Sequence, residues 1–530
     1  MADAAPSRSC AAPACAPRTY VQRQPERTVL YQLVREQLET FLEQGRARST
    51  HGEGYPRYVE QTFRRYLQCG ILAYGCARLH CAACGHDLFV PFSCKSRGIC
   101  PSCQGRRMGE LAATLVDTLL PALPYRQWVF TYPHALRRAM AQQPKLLTAV
   151  LGRSLRTLAA YQRRRARVLG RDGVQTAALC ALQRFGSAIN LNVHAHVIAP
   201  DAVFVVDGEA LRPMVLPPPT DAEVAQVALG VHRRVCRLLA RRLEQDEAAA
   251  EREPTPLDSA VAEALAPTRR MLQTEAWPPP ARPRCASVDG FGVHANVALT
   301  AEDRAGLEHL IRYALRPPLA HTRLKRLPSG RIRYQLKRPW YDGSTHLELD
   351  PLALMRRLAL LIPPPFQHTL RYHGLLAPHA QHRAKLAALL PAAPAATAPV
   401  DAPVAAAPTN APVTDGADPH ALAPPPTPQA TARRWRWAVL LRRVFKVDVA
   451  SCPRCGHRLQ LIALISEAVA LNRILDHLGR AAPPPPEPAR LPQQTECDLE
   501  LQPIDPDAAD PLAPSARAPP DLLWLCLPDR

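Results

Sequence analysis

Hydrophobic and polar residues alternate most cleanly along Asn190-Leu191-Asn192-Val193-His194-Ala195-His196-Val197-Ile198. A period of two is that of a strand. It puts Val193, Ala195 and Val197 on one face and Asn192, His194, His196 and Ile198 on the other. The first face suits a core. The second carries two imidazoles about 7 Å apart along the strand, at roughly 3.3 Å per residue. Neutral imidazoles so placed can share a divalent ion, and an ordinary half-buried pair is the competing reading. Further strands are predicted at Gln127 to Thr131, Ala177 to Phe185, Ala286 to Leu299 and Arg331 to Lys337, with Val203 to Val206 extending the histidine pairing. A hairpin between Ala177–Phe185 and the histidine strand sets Gln183 beside the imidazoles, as a candidate third ligand through its oxygen.

Helical periodicity predicts a helix capped by Thr28 and stopped by Gly45, and others over 108–122, 134–168, 220–251 and 351–362. One further helix starts behind Thr300-Ala301-Glu302-Asp303, which resembles a capping box, and ends before Pro317-Pro318. Its apolar stripe is Leu307, Leu310, Ile311, Ala314 and Leu315. Tyr313 lies roughly 130° away from the centre of that stripe, at 3.6 residues per turn. A tyrosine on a helix but not in its core is available to another surface, and Arg312 and Arg316 flank it. Strands mixed with helices in this order predict an α+β fold, an antiparallel sheet with helices packed on it.

Charge narrows the chemistry. The 530-residue chain carries 66 Lys and Arg against 46 Asp and Glu, a formal charge of +20 and a pI near 9.6. Such a chain favours a polyanionic partner, nucleic acid first. No apolar run approaches the ~20 residues of a membrane helix, and the first residues lack the apolar core of a secretory leader. A cytosolic protein is therefore expected. The 57 prolines cluster, and they mark joints between about three domains. The expected divisions are a loose N-terminus (1–26), a zinc-binding DNA-recognition module (27–115), a main domain (120–387) with a Pro- and charge-rich excursion near 252–283, an Ala/Pro linker (388–431), a small C-terminal module (432–480) and a Pro-rich tail (481–530).

Sixteen cysteines in a reducing compartment point to metal rather than disulfides. Cys81-Ala-Ala-Cys84 and Cys100-Pro-Ser-Cys103 are two Cys-x-x-Cys knuckles at a separation that fits a four-thiolate zinc site. Such a closed site is structural. Cys69, Cys76, Cys94, His80 and His86 lie close enough in sequence to replace a ligand or serve a second ion. Lys95 and Arg97 add a basic grip for DNA phosphates. Cys452-Pro-Arg-Cys455 is half of another zinc site, with partners that spacing does not identify.

The order of motifs carries a resemblance. Ser93-Cys94-Lys95-Ser96-Arg97-Gly98-Ile99-Cys100-Pro101-Ser102-Cys103 is followed by Gln183-Arg184-Phe185-Gly186-Ser187, the His-Ala-His strand and Arg312-Tyr313-Ala314-Leu315-Arg316-Pro317-Pro318. Trp340-Tyr341-Asp342-Gly343 and Arg371-Tyr372-His373-Gly374 come last. From about residue 25 to 480, linker and excursion apart, the chain resembles the transposases of the "insertion sequence ninety-one" type and their common-region relatives. The resemblance implies a rolling-circle transposase with an HUH endonuclease core. Tyr313 would then attack a phosphate of single-stranded DNA at the element's end, leaving a 5′-phosphotyrosine and a free 3′-hydroxyl. Some relatives carry a second tyrosine four residues upstream; here that residue is His309, so the chain resembles the single-tyrosine branch. His194 and His196 would hold Mg²⁺ or Mn²⁺, and Arg316 and Lys337 would clamp phosphate. Single-stranded or hairpin DNA ends are the implied partners, and a homodimer is left open. Two alternatives stand beside this. One is a replication initiator or relaxase-like nickase, weakened by the lack of a helicase phosphate loop. The other is a non-catalytic zinc-ribbon DNA-binding protein.

Overall fold

The histidine strand, Leu191–Pro200, runs through the middle of a six-stranded antiparallel sheet. Across the sheet the order is Leu370–Gly374, Ala177–Phe185, Leu191–Pro200, Tyr125–Thr131, Phe291–Leu299 and Cys285–Val288. In this computed structural model, residues 18–49, 51–243, 282–337, 339, 343–391, 442 and 447–480 are described. Nearly all of the expected N-terminal stretch, excursion, linker and tail, together with Trp340-Tyr341-Asp342, lies outside them.

The described residues fall into two units. The larger comprises 26–49, 51–67, 94–243, 282–337, 339 and 343–391; the smaller comprises 18–25, 68–93, 442 and 447–480.

The larger unit has two cores, one on each face of the sheet. On one face Trp128, Phe130, Val193, Ala195 and Val197 meet the helices Pro144–Val168 and Asp221–Leu243 through Leu147, Val150, Leu158, Val227 and Val231. On the other, Leu179, Ala181 and Ile198 meet the helices Pro101–Thr118 and Arg304–Ala314 through Leu115, Leu307, Leu310 and Ile311. Burial on both faces explains why Ala177–Phe185 is buried along its whole length. The alternation read from the histidine strand is realised. Val193, Ala195 and Val197 enter the first core, while Ile198 enters the second.

Local chemistry accounts for several differences from expectation. Asp303, not Thr300, caps the Arg304–Ala314 helix, with Oδ1 accepting from Gly306 N at 2.7 Å. Thr28 caps its helix, its Oγ1 accepting from Tyr31 N. That helix runs through Gly45 to Ala47. Gly45 is there for close packing, since a Cβ would come within 2.5 Å of the Tyr55 ring. Pro144 divides the long helical stretch into His134–Gln142 and Pro144–Val168. The expected strand over 286–299 is a hairpin, turned at Asp289-Gly290, both with positive φ. Ala202–Asp207 does not extend the histidine pairing; it folds onto Ala210–Val215 as a separate two-stranded ribbon.

The smaller unit is a three-stranded antiparallel sheet in the order Gln460–Ile465, Cys76–His80, Asp87–Pro91. The helix Ala468–His477 packs Leu471 and Leu475 against Cys76, Phe89 and Ile465. Arg18–Thr19 pairs in parallel with Val447–Asp448.

Candidate active site and metal centres

The face of the sheet that carries the tyrosine helix also carries the histidines. Strand register sets His194 between Gln183 and Thr131, and His196 between Ala181 and Val129. Both imidazoles are buried, with ring centroids 5.0 Å apart. His194 Nδ1 lies 2.8 Å from the Asn192 carbonyl. A carbonyl only accepts, so Nδ1 carries the proton and Nε2 keeps its lone pair. His196 Nδ1 lies 3.0 Å from the Gln127 amide nitrogen. In that orientation the amide donates to Nδ1 and the proton sits on Nε2; a half-turn of the amide, exchanging its N and O, would place the proton on Nδ1 and free Nε2 as a ligand atom. Burial is the main reason both imidazoles resist protonation. The His194 pKa is pushed down to about 4 and that of His196 to about 3, with Arg316 lowering both and the neighbouring His194 lowering His196 further. At neutral pH both are uncharged, the form that ligates a metal.

Gln183 reaches the site as expected, and it does a second thing. Its Nε2 donates to the carbonyls of Ala314 at 2.8 Å and Tyr313 at 3.3 Å. Those carbonyls lie in the last turn of the tyrosine helix, where Tyr313 O also accepts from Arg316 N at 3.3 Å. One strand side chain therefore holds the helix end against the sheet. Gln183 Oε1 is buried with no hydrogen-bond partner. A metal ion beside the histidines would satisfy that orphaned acceptor. Among the described residues, no aspartate, glutamate, cysteine or third histidine forms a metal-sized cluster with His194 and His196.

Tyr313 is 40 % exposed while Leu307, Leu310, Ile311 and Ala314 on the same helix are buried. Its ring stands edge-on to His196, centroid to centroid 5.7 Å. Two cations lie against that ring: the Arg316 guanidinium carbon at 5.2 Å and Lys337 Nζ at 5.4 Å from its centroid. Arg316 also lies over Phe185 at 5.1 Å. The tyrosine, the two histidines, Gln183, Arg316 and Lys337 thus form one constellation. The other candidate DNA contacts are not seen against the Tyr313 ring. Arg312 is half-buried in the last helical turn, Lys95 is exposed, and Arg97 donates to the Gln367 carbonyl at 3.0 Å. Gln127 was not foreseen. Its sign in the sequence is a glutamine in the strand Tyr125–Thr131, on the same face as its alternate neighbours Val129 and Thr131.

The cysteines pair differently from their spacing. Cys81 and Cys84 converge with Cys452 and Cys455, not with Cys100 and Cys103; all four sulfurs lie within 4.8 Å of one another. Cys81 Sγ is 3.4 Å from Cys455 Sγ, and Cys84 Sγ is 3.5 Å from Cys452 Sγ. Tetrahedral zinc with ~2.3 Å bonds to sulfur sets neighbouring sulfurs about 3.8 Å apart. The donor set fits zinc. The two knuckles are alike in backbone: Gly85 N donates to Cys81 O and Gly456 N to Cys452 O, with both glycines at positive φ. The reason for the misassignment is topological. Strand pairing of Cys76–His80 with Gln460–Ile465 brings the distant knuckle to the first, and knuckle spacing carries no information on that. In the larger unit Cys94, Cys100 and Cys103 converge, with sulfurs also within 4.8 Å and Cys94 to Cys103 at 3.5 Å. They form the core of a second thiolate centre.

The comparisons with known families agree with this anatomy. Residues 34–132 match a family model described as "Transposase zinc-binding domain", and residues 177–384 match one described as "Putative transposase". The first spans both groups of N-terminal cysteines, and the second spans Gln183, the histidine strand and Tyr313. No curated protein and no solved structure matches the chain. No helix among the described residues is long and apolar enough to cross a membrane. The cysteine clusters and the matched zinc-binding domain assign structural zinc to the protein. With both domains present, in this order, the chain belongs to the transposases of the insertion sequence ninety-one type.

Proposed function

We propose that the protein cuts and rejoins single-stranded DNA at the ends of its element, with Tyr313 as the nucleophile. The reading rests on one observation: a half-exposed tyrosine edge-on to a buried, neutral histidine pair, with Arg316 and Lys337 against its ring.

A tyrosine hydroxyl ordinarily loses its proton near pH 10, so at neutral pH it needs help as a nucleophile. His194 Nε2, His196 Nε2 and Gln183 Oε1 would hold a divalent cation, Mg²⁺ or Mn²⁺; when bound, it would polarise the scissile phosphate and offset developing charge. The protein's own residues do the rest. Gln183 fixes the helix end that carries Tyr313. Arg316 and Lys337 supply positive charge beside the phenol, where the phosphate must sit. Tyr313 Oη bonds to phosphorus, the bond from phosphorus to the 3′-oxygen breaks, the phenol proton passes to solvent, and the leaving oxygen takes up a proton. The products are a 5′-phosphotyrosine and a 3′-hydroxyl. A second 3′-hydroxyl can reverse the step on another strand without ATP, because the ester conserves the energy of the broken linkage.

The test is a labelled single-stranded oligonucleotide from the element's end, incubated with Mn²⁺ and resolved on a denaturing gel. Wild type is expected to give a protein–DNA adduct. Tyr313→Phe and the double variant His194→Ala/His196→Ala are expected to give none while keeping their zinc. An adduct from Tyr313→Phe would move the nucleophile to another tyrosine. Wild-type binding without any adduct would leave a DNA-binding protein.

A further inference from the structure

Behind the catalytic constellation, inside the larger unit, lies a cavity of about 80 Å³. Gln183, Phe185, Ala314 and Arg316, all close to Tyr313, line it together with Ser96, Arg184 and Leu111. A water needs roughly 10–15 Å³ by this measure, so the space would take several waters or one planar ring.

Its polar lining is unfinished. Ser96 Oγ, Arg184 Nε and Arg316 Nε are buried and have no hydrogen-bond partner. Buried polar groups are nearly always paired, so three unmet groups around one cavity point to an occupant that brings acceptors. Arg184 is itself only 7 % exposed, and its remaining guanidinium nitrogens are taken by Gln367 Oε1 at 3.3 Å and the Ala141 carbonyl at 3.2 Å. Burial disfavours its charge, which raises the benefit of a partner. Arg97, Gln104, Arg107 and Thr369 add further polar groups to the lining, and Met108, Leu111, Leu182, Phe185, Leu361 and Pro363 add apolar surface. A bare phosphate would use the donors and leave that apolar surface without a partner. A flat heterocycle with acceptors on its edge satisfies both halves.

The loop that borders the cavity adds a second sign. Gln367 is buried and anchored by Arg97 and Arg184. The residue before it, Phe366, is 96 % exposed and has φ of +61°. Holding an aromatic side chain in water on a left-handed backbone costs stability twice over. Single-strand binding surfaces use exposed aromatic rings as stacking platforms.

We infer that this cavity takes one nucleobase of the DNA strand, adjacent to the phosphate at Tyr313, with Phe366 stacking a base outside it. The inference rests on the proposed single-strand substrate, and it adds how that strand is held. Arg316 joins the two sites, with its guanidinium between the rings of Phe185 and Tyr313.

The experiment measures binding of the element-end oligonucleotide to full-length Tyr313→Phe protein by fluorescence anisotropy. Each nucleotide around the cut is replaced in turn by an abasic one. One position next to the cut is expected to lose roughly 5- to 150-fold in affinity, the worth of one stacked base. In Arg184→Gln that position should become indifferent to base removal. A purely structural role for Arg184 would weaken all oligonucleotides equally. Phe366→Ala, at a fully exposed site, should weaken the intact strand by at least about 5-fold and add nothing where the stacked base is already missing. A flat abasic profile, or the same profile in wild type and both variants, overturns the inference. Neither result touches adduct formation at Tyr313, so the two readings fail separately.

Discussion

Gln183 joins one amide to two tasks, and the tasks can be separated. Its nitrogen donates to the carbonyls of Tyr313 and Ala314, and its oxygen has no hydrogen-bond partner among the described residues. Gln183→Met keeps the approximate size and removes both ends. Two hydrogen bonds worth ~1 kcal/mol each are lost. At least one carbonyl, that of Ala314, then sits in a buried position without a donor, at a further cost of ~1–3 kcal/mol. The expected destabilisation is therefore about 3–5 kcal/mol, read as a lower urea midpoint in the fluorescence of Trp128, which is buried in the same sheet. Gln183→Glu also lacks the donor nitrogen, so it should lose at least as much stability, yet it restores an oxygen toward the histidines. Adduct yield with Mn²⁺ should thus be low in Gln183→Met and substantially recovered in Gln183→Glu under conditions where both are folded. An unchanged midpoint in Gln183→Met would refute the anchoring. Equal adduct yields in Gln183→Met and wild type would refute the ligand role.

Other outcomes follow from the same geometry. Cys452→Ser/Cys455→Ser should reduce zinc by one ion per chain in metal analysis while the centre at Cys94, Cys100 and Cys103 keeps its own. Acid should destabilise the sheet in metal-free buffer. The unfolded chain protonates histidine near pH 6.5, whereas His194 and His196 hold out to about 4 and 3. Stability is therefore undiminished above pH ~6.5 and falls as pH drops toward 4, with a slope approaching two protons. Urea midpoints from pH 7 to 4.5 should show it, and His194→Asn/His196→Asn should flatten it. Arg304 donates to the carbonyls of Pro121, Leu120 and Val116 at the end of the Pro101–Thr118 helix. Arg304→Met should cost about 2–4 kcal/mol and shift the tyrosine helix, visible as both a lower midpoint and a slower adduct.

What sequence could tell and what it could not divides along contact range. The histidine face, the neighbouring Gln183 and the unused position of Tyr313 on its helix all follow from periods of two and 3.6, which are local. Their convergence was legible because a hairpin and one flanking helix suffice to make it. The partners of Cys81 and Cys84 were not, because they depend on pairing with a strand near the other end of the chain. Gly45 shows a subtler limit. A glycine near a helix end reads as a stop, and only the Tyr55 ring beside it reveals that space, not backbone freedom, is what the position needs. The unmet donors around the cavity have no joint sequence signature: Arg316 stands out beside Tyr313, but nothing in the sequence sets Ser96 and Arg184 facing the same volume.

The zinc ligands of the smaller unit also set a clock. Cys81 and Cys455 are 374 residues apart. At the ~5–20 residues per second of translation, the second knuckle leaves the ribosome roughly 20–75 s after the first. Throughout that interval Cys81 and Cys84 are a half-built chelate, open to oxidation or to the wrong metal. A message truncated between residues 313 and 452 would yield a chain that carries Tyr313 and both histidines yet can never close this site. Closure of the site thereby registers that synthesis has passed residue 455, in a single ion that ties two knuckles more than 300 residues apart.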